Sequence, residues 1–139
     1  MVMKKIWYVD VDGVLADFHN TPHTFKDIAS CEWIANLPPF MHNVDAINTL
    51  IENGGSVYII SRVVNESAKQ GRMEWLKKYL PMLPKHRIIL LVGKSNKAKN
   101  RKTKNGILID DDIKNCKQWA QAGLEYIHIV NKGDIIEGL

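Results

Sequence analysis

Asp10 and Asp12 end an apolar run in "YVDVDGVLADF" (residues 8–18). Spaced two apart on an extended chain, their carboxylates point to the same side. Comparable polar groups close three later apolar runs: Ser61-Arg62 after "SVYII", Gly93-Lys94 after "RIILLV", and Asp110-Asp111-Asp112 after "GILI". In an open α/β sheet, ligands bind outside the carboxyl ends of the strands, so four segments would bring these groups to one edge. Crowded carboxylates raise one another's proton affinity, and a divalent cation removes the conflict. Oxygen-only ligands favour Mg²⁺, which keeps waters and takes up a substrate phosphate. Ser61 would offer a hydroxyl to the phosphate oxygens and Lys94 a positive charge, with Arg62 a further phosphate candidate. An aspartate can attack phosphorus and form an aspartyl-phosphate. The chemistry expected is phosphoryl transfer, most simply to water.

Five short segments rich in Ile and Val must carry these groups: "KIWYVDV", "SVYII", "RIILLV", "GILID" and "EYIHIV". Their apolar runs are mostly continuous, as in strands covered on both faces of a parallel sheet. Helical patterns lie between them. "NVDAINTLIENGG" sets Val44, Ile47, Leu50 and Ile51 on one face and stops at Gly54-Gly55. "ESAKQGRMEWLKKYLP" aligns Met73, Leu76 and Leu80 before Pro81. "DIKNCKQWAQAG" groups Ile113, Cys116 and Trp119 or Ala120 ahead of Gly123. The expectation is one α/β domain over residues 1–139, a Rossmann-like three-layer fold with a five-stranded parallel sheet. Residues 18–42 hold aromatics, histidines and prolines with at most one short helix, and are expected to form a small cap insertion above the sheet.

The chain resembles the haloacid dehalogenase (HAD) superfamily of phosphatases, whose first motif reads DxDGxxxD; "DVDGVLAD" stands here. "VYIIS", "GKSNKA" and "ILIDD" follow in the order of the other three motifs. Within the superfamily the chain is similar to the 5′(3′)-deoxyribonucleotidase group, through "LPPF", "SVYIISR", "EWLKKYLP" and "ILIDDDIKNCKQWAQAG". The resemblance implies a HAD core and a phosphatase of nucleoside monophosphates, with Asp10 as nucleophile and Asp12 as general acid and base. It implies Mg²⁺ held by Asp10, the backbone carbonyl of Asp12, and Asp110 or Asp111. Lys94 follows the third strand at the expected interval, and Lys97 competes with it. Asp112 would cap the following helix. Phe18, His19, His23, Phe25, Trp33 and Phe40 could stack on a base or merely pack the insertion.

With 45% hydrophobic and 24% charged residues, the composition is that of a soluble globular protein. No apolar run approaches a membrane span, and the N-terminal stretch makes a poor signal peptide. Cys31 and Cys116 fit no metal-ligand spacing and read as reduced thiols of a cytoplasmic protein. The net charge of +4 is uneven: Lys94, Lys97, Lys99, Arg101, Lys102 and Lys104 cluster in "GKSNKAKNRKTKN", either a solvated mobile loop or an attractor for phosphate or nucleic acid. A short cap and this loop leave room for nucleic-acid 3′-phosphate ends as an alternative substrate, beside a small phosphorylated metabolite. The sequence leaves the oligomeric state open, a homodimer included, and no membrane partner is expected. A phosphorylation-dependent signalling module is the non-enzyme alternative; its acceptor aspartate would follow the third strand, where "IILLVGK" has no acid.

Overall fold

The computed structural model describes residues 4–93 and 95–139. Five strands, β1 (Ile6–Val9), β2 (Ser56–Val63), β3 (Ile88–Val92), β4 (Ile107–Asp110) and β5 (Tyr126–His128), form one parallel sheet in the order β3-β2-β1-β4-β5. Four α-helices connect or cover them: α1 (Cys31–Ala35), α2 (Met41–Glu52), α3 (Glu66–Tyr79) and α4 (Ile113–Gln121). From β1 the chain winds outward through β2 to β3, then returns to place β4 on the other side of β1. The winding reverses between β1 and β4, and such a reversal opens a crevice at the carboxyl ends of the two strands.

Alternate strand residues feed two cores. Trp7, Val9, Val57, Ile59 and Ile109 pack on one face with Val44 and Ile47 of α2 and Trp75 and Leu76 of α3. Tyr8, Ile60, Ile89 and Leu108 pack on the other with Trp119 of α4 and Ala98. Burial on both faces explains the unbroken apolar runs. Helix starts follow their caps: Asn65 accepts from the Ala68 N–H (2.8 Å) and Asp112 from the Lys114 N–H (2.9 Å). Lys77 and Lys78 sit in the last turn of α3, where the helix dipole favours cations.

One detail differs from the sequence reading. The buried face of α3 is Ala68, Gly71, Arg72, Trp75 and Leu76; of the expected line, Leu76 and Leu80 are buried and Met73 is only half-buried. The helix is rolled so that its arginine points inward. Between β3 and β4 the described residues form a loop with a single 3-10 turn at Ala98–Asn100, in line with the loop expected of this lysine-rich stretch. Residues 18–40 hold another 3-10 turn, Asp27–Ala29, and α1, which lies against α3 at Gly71. A Cβ on Gly71 would stand 2.3 Å from the Cys31 carbonyl oxygen, so only glycine permits that approach. Phe18 and Trp33 pack on the first core and against each other, while Phe25 is 87% exposed.

Candidate active site

The reversal point is where the carboxylates gather. The Asp10 N–H bonds to the Ile109 carbonyl (2.9 Å), which ties the end of β1 to β4. Beyond Asp10 the chain turns sharply: the N–H groups of Val14, Leu15 and Ala16 all bond to the Val11 carbonyl. Val11, Val14 and Leu15 are fully buried, so the turn is anchored from below while Asp10 and Asp12 face the crevice. Gly13 serves this turn twice over. Its φ of +84° is left-handed, and a Cβ there would lie 2.3 Å from the Asp111 carboxylate. Any side chain would both strain the turn and displace Asp111.

Asp10, Asp110 and Asp111 each present a carboxylate oxygen within 4.8 Å of the others. Asp110 is wholly buried; one oxygen accepts from Lys97 Nζ (2.7 Å) and Asn115 Nδ2 (3.1 Å), the other from the Asp112 N–H (2.9 Å). Burial pushes Asp10 and Asp110 up to about 6 despite the nearby lysine, with repulsion from Asp12 and Asp111 adding to it at Asp10 and from Asp10 at Asp110. Asp111 is raised too, by burial and then by Asp110. Lys132 (3.6 Å) and His19 (3.5 Å) approach the outer side of Asp111. Asp112 caps α4, the part expected of it.

Lys94, expected to supply the positive charge, lies outside the described residues. The lysine that enters the cluster is Lys97, 2% exposed, with Nζ 3.0 Å from Asp10 and 2.7 Å from Asp110. Burial pulls its ammonium down, but the two carboxylates outweigh that and hold it above its ordinary value. Ser61, at 1% exposure, keeps its hydroxyl free except for a long 3.5 Å contact to the Arg62 carbonyl. The Arg62 Nε donates to the Ser95 carbonyl (2.8 Å), so Arg62 braces the loop that delivers Lys97. Asp10, Asp12, His19, Ser61, Arg62, Lys97 and Asp111 line an open cleft of ≈ 150 Å³ with Asp112 and Asn115. A larger groove lined by Met73, Leu76, Leu80, Pro81 and Leu83 has Glu74 as its one carboxylate among the described residues.

Arg72 is the residue that sequence reasoning missed. It is 1% exposed, and its Nη2 donates to Asp12 at 2.6 Å. Its Nε and Nη1 are buried without a hydrogen-bond partner among the described residues. A sequence signal existed, since positions 68, 72, 75 and 76 share one helical face and the arginine stands on that otherwise apolar stripe. An acceptor-only oxygen cluster beside an ammonium, with a free hydroxyl and an arginine-held carboxylate opposite, suits a hard divalent cation and a phosphate.

Residues 19–133 match the family model described as 5′ nucleotidase, deoxy (pyrimidine), cytosolic type C protein (NT5C). No protein with a curated description matches the chain by sequence. Among solved structures, the chain is similar to one titled as a Pnkp1/Rnl/Hen1 complex, with a TM-score of 0.69 and 16% identity; 96% of this chain covers 48% of that one. It spans about half of that relative. A D,D-heptose 1,7-bisphosphate phosphatase from B. bronchiseptica, complexed with magnesium and phosphate, gives 0.66 and 12% identity, with 93% and 82% covered. The class C acid phosphatase of Bacillus anthracis gives 0.66 and 18%, with 96% and 69% covered. At these identities the structural likeness speaks for the fold alone.

Proposed function

The chain belongs to the NT5C family of 5′ nucleotidases within the HAD superfamily, and on that premise we propose that it hydrolyses nucleoside monophosphates through an aspartyl-phosphate on Asp10. The observation that carries the proposal is Lys97, buried between Asp10 and Asp110 at the crevice beside Asp12. A phosphate in the cleft would meet the Lys97 ammonium and the Ser61 hydroxyl. An Asp10 oxygen attacks phosphorus, and the bond from phosphorus to the leaving oxygen breaks. Asp12 gives that oxygen its proton. Asp12, now a carboxylate, takes a proton from a water that attacks the same phosphorus, which breaks the bond to Asp10 and releases phosphate. Arg72 holds Asp12 in place for both transfers. Mg²⁺, held by Asp10, the Asp12 carbonyl, Asp110 and Asp111, would neutralise phosphate charge as phosphorus is attacked. Among the described residues no helix is long and apolar enough to cross a membrane. Both cysteines are free, which supports the cytoplasmic assignment.

Phosphate release from a panel of ribo- and deoxynucleoside monophosphates and an aryl phosphate, with Mg²⁺ or with EDTA, tests this reading. Asp10→Asn is expected to abolish turnover and EDTA to suppress it. Release by Asp10→Asn at the wild-type rate would remove Asp10 as nucleophile.

Arg72→Met separates positioning from folding. The substitution leaves Asp12 without its partner, but that carboxylate is 21% exposed and can be solvated, so the stability loss should fall below the roughly 3–5 kcal/mol of a fully buried broken pair. Acid–base catalysis contributes about 10²–10⁴-fold, and a loosened Asp12 should forfeit roughly 10–100-fold in kcat. KM should change little. A thermal melt with steady-state kinetics checks both, and unchanged kcat would reduce Arg72 to a packing role.

A further inference from the structure

The basic residues are far more segregated than the net charge suggests. From residue 75 to residue 109 the sequence holds ten of the nineteen Lys and Arg and none of the fifteen Asp and Glu. That segment is therefore +10 and the rest of the chain −6. It comprises the end of α3, β3 and the loop to β4. Apart from Lys97, none of its lysines or arginines is ion-paired among the described residues.

The loop is not a floppy tail. Ala98 is buried in the second core, and the N–H groups of Lys102 and Thr103 both donate to the Tyr8 hydroxyl (3.1 Å each). The Thr103 hydroxyl lies 2.6 Å from that same oxygen. Arg101 donates through Nη1 to the Ala98 carbonyl (2.6 Å) and through Nε to the Lys104 carbonyl (3.4 Å). Lys102 Nζ reaches the His86 carbonyl (3.0 Å), joining the loop to the turn that precedes β3. With its inner positions pinned, the loop descends from Lys97 at the carboxyl edge of the sheet to Ile107 at the opposite edge. Lys99, Lys102 and Lys104 are exposed along it, and Lys85 and His86 are exposed at its foot. Five strand residues at about 3.3 Å each make that descent roughly 16 Å.

A pinned row of like charges repels itself, and a polyanion relieves that repulsion. We infer that this loop is a backbone-tracking surface for single-stranded nucleic acid, and that the substrate class extends to phosphorylated strand ends delivered to Asp10 and Lys97. The inference rests on the phosphatase reading and enlarges its substrate. No aromatic residue lies in the loop, so recognition is of phosphates and indifferent to base. The cleft is open, and Lys97 at the head of the loop lines it.

The test compares dT20 bearing a 3′- or 5′-phosphate with dTMP as salt rises from 50 to 200 mM, for wild type and for Lys99→Glu/Lys104→Glu. Contact with about four phosphates gives a slope near −0.7 per contact in log kcat/KM against log salt, a fall of roughly 50-fold on the oligonucleotide. The dTMP reaction should fall by no more than about threefold, one phosphate contact's worth. The variant should lower the oligonucleotide-to-dTMP ratio by about tenfold and flatten the oligonucleotide slope by roughly 1.4, two contacts' worth. Hydrolysis of dTMP with equal salt slopes on both substrates, or an unchanged ratio in the variant, overturns the inference and leaves the nucleotidase reading standing. If no phosphomonoester is hydrolysed, that reading falls by itself, and fluorescence anisotropy of labelled dT20 then decides. Salt-sensitive binding weakened by the variant upholds the surface. Binding to phosphatidylserine vesicles without binding to dT20 overturns it in favour of a membrane.

Discussion

Lys97→Met is expected to lower kcat/KM by about 10²–10³-fold, the usual loss when one preorganised charge on a reacting oxyanion is removed. Its effect on stability should depend on the cation. Without Mg²⁺, the substitution strands Asp10 and Asp110 in a buried site, and breaking such a pair costs about 3–5 kcal/mol where the carboxylates stay charged. Both are already raised to about 6, so part of that cost is avoided by taking up protons. With Mg²⁺ bound, the cation supplies the missing charge and the loss should shrink. Lys97→Arg should not rescue activity. A planar fork does not fit the 2%-exposed space that a point charge fills between two carboxylates. Urea melts with and without Mg²⁺, beside steady-state kinetics, measure each arm. If Lys97→Met stayed within about fivefold of wild type while Lys94→Ala lost activity, Lys94 would be the phosphate lysine and Lys97 only structural.

The choice between those two lysines marks where the sequence stops being informative. Asp10, Asp12 and Gly13 are adjacent in the chain, and a charged pair followed by glycine at the end of an apolar run has one economical meaning. Asp110 was readable because it terminates β4, and Ser61 because it closes the apolar run of β2, which continues to Val63. Lys94 and Lys97 stand in a loop without periodicity, where no repeat tells which side chain folds back. That Lys97 enters the cluster depends on Ala98 burying itself in the second core and on Arg62 holding the Ser95 carbonyl. Both are contacts between residues distant in sequence. Arg72 hid because arginine in a helix normally faces solvent; the clue was its company, Ala68, Trp75 and Leu76. The roll of α3 that buries Arg72 in place of Met73 follows from its docking with α1 at Gly71, a packing event invisible to helical periodicity. The strand order likewise comes from which face each crossover covers, and local patterns do not encode that.

Mg²⁺ should stabilise the protein at pH 7.5 and scarcely at pH 4.5. An unfolded aspartate titrates near 3.9, whereas Asp10 and Asp110 in the folded, metal-free chain are raised to about 6. The folded state therefore holds their protons more tightly. The stability they contribute is full below about pH 4 and is lost as pH rises through 6. A cation that replaces those protons gains its advantage over the same interval, in the opposite sense. At about a hundredfold excess over Kd the stabilisation is about 2.7 kcal/mol, roughly 8–12 °C in Tm for a chain of this size. Because the two carboxylates interact, the pair titrates as a unit, and displacing both protons weakens apparent Mg²⁺ affinity by up to about 100-fold per pH unit below 6. Lys97 adds no proton in this range, since its ammonium is held above its ordinary value. Thermal melts across pH 4.5–8 at several Mg²⁺ concentrations read the effect directly; a shift independent of pH would remove the buried acids from the cation site. The same competition governs rate. Raising Mg²⁺ should carry the acid limb of kcat/KM below pH 6, because Asp10 is freed to attack phosphorus only when the cation, rather than a proton, holds the cluster together.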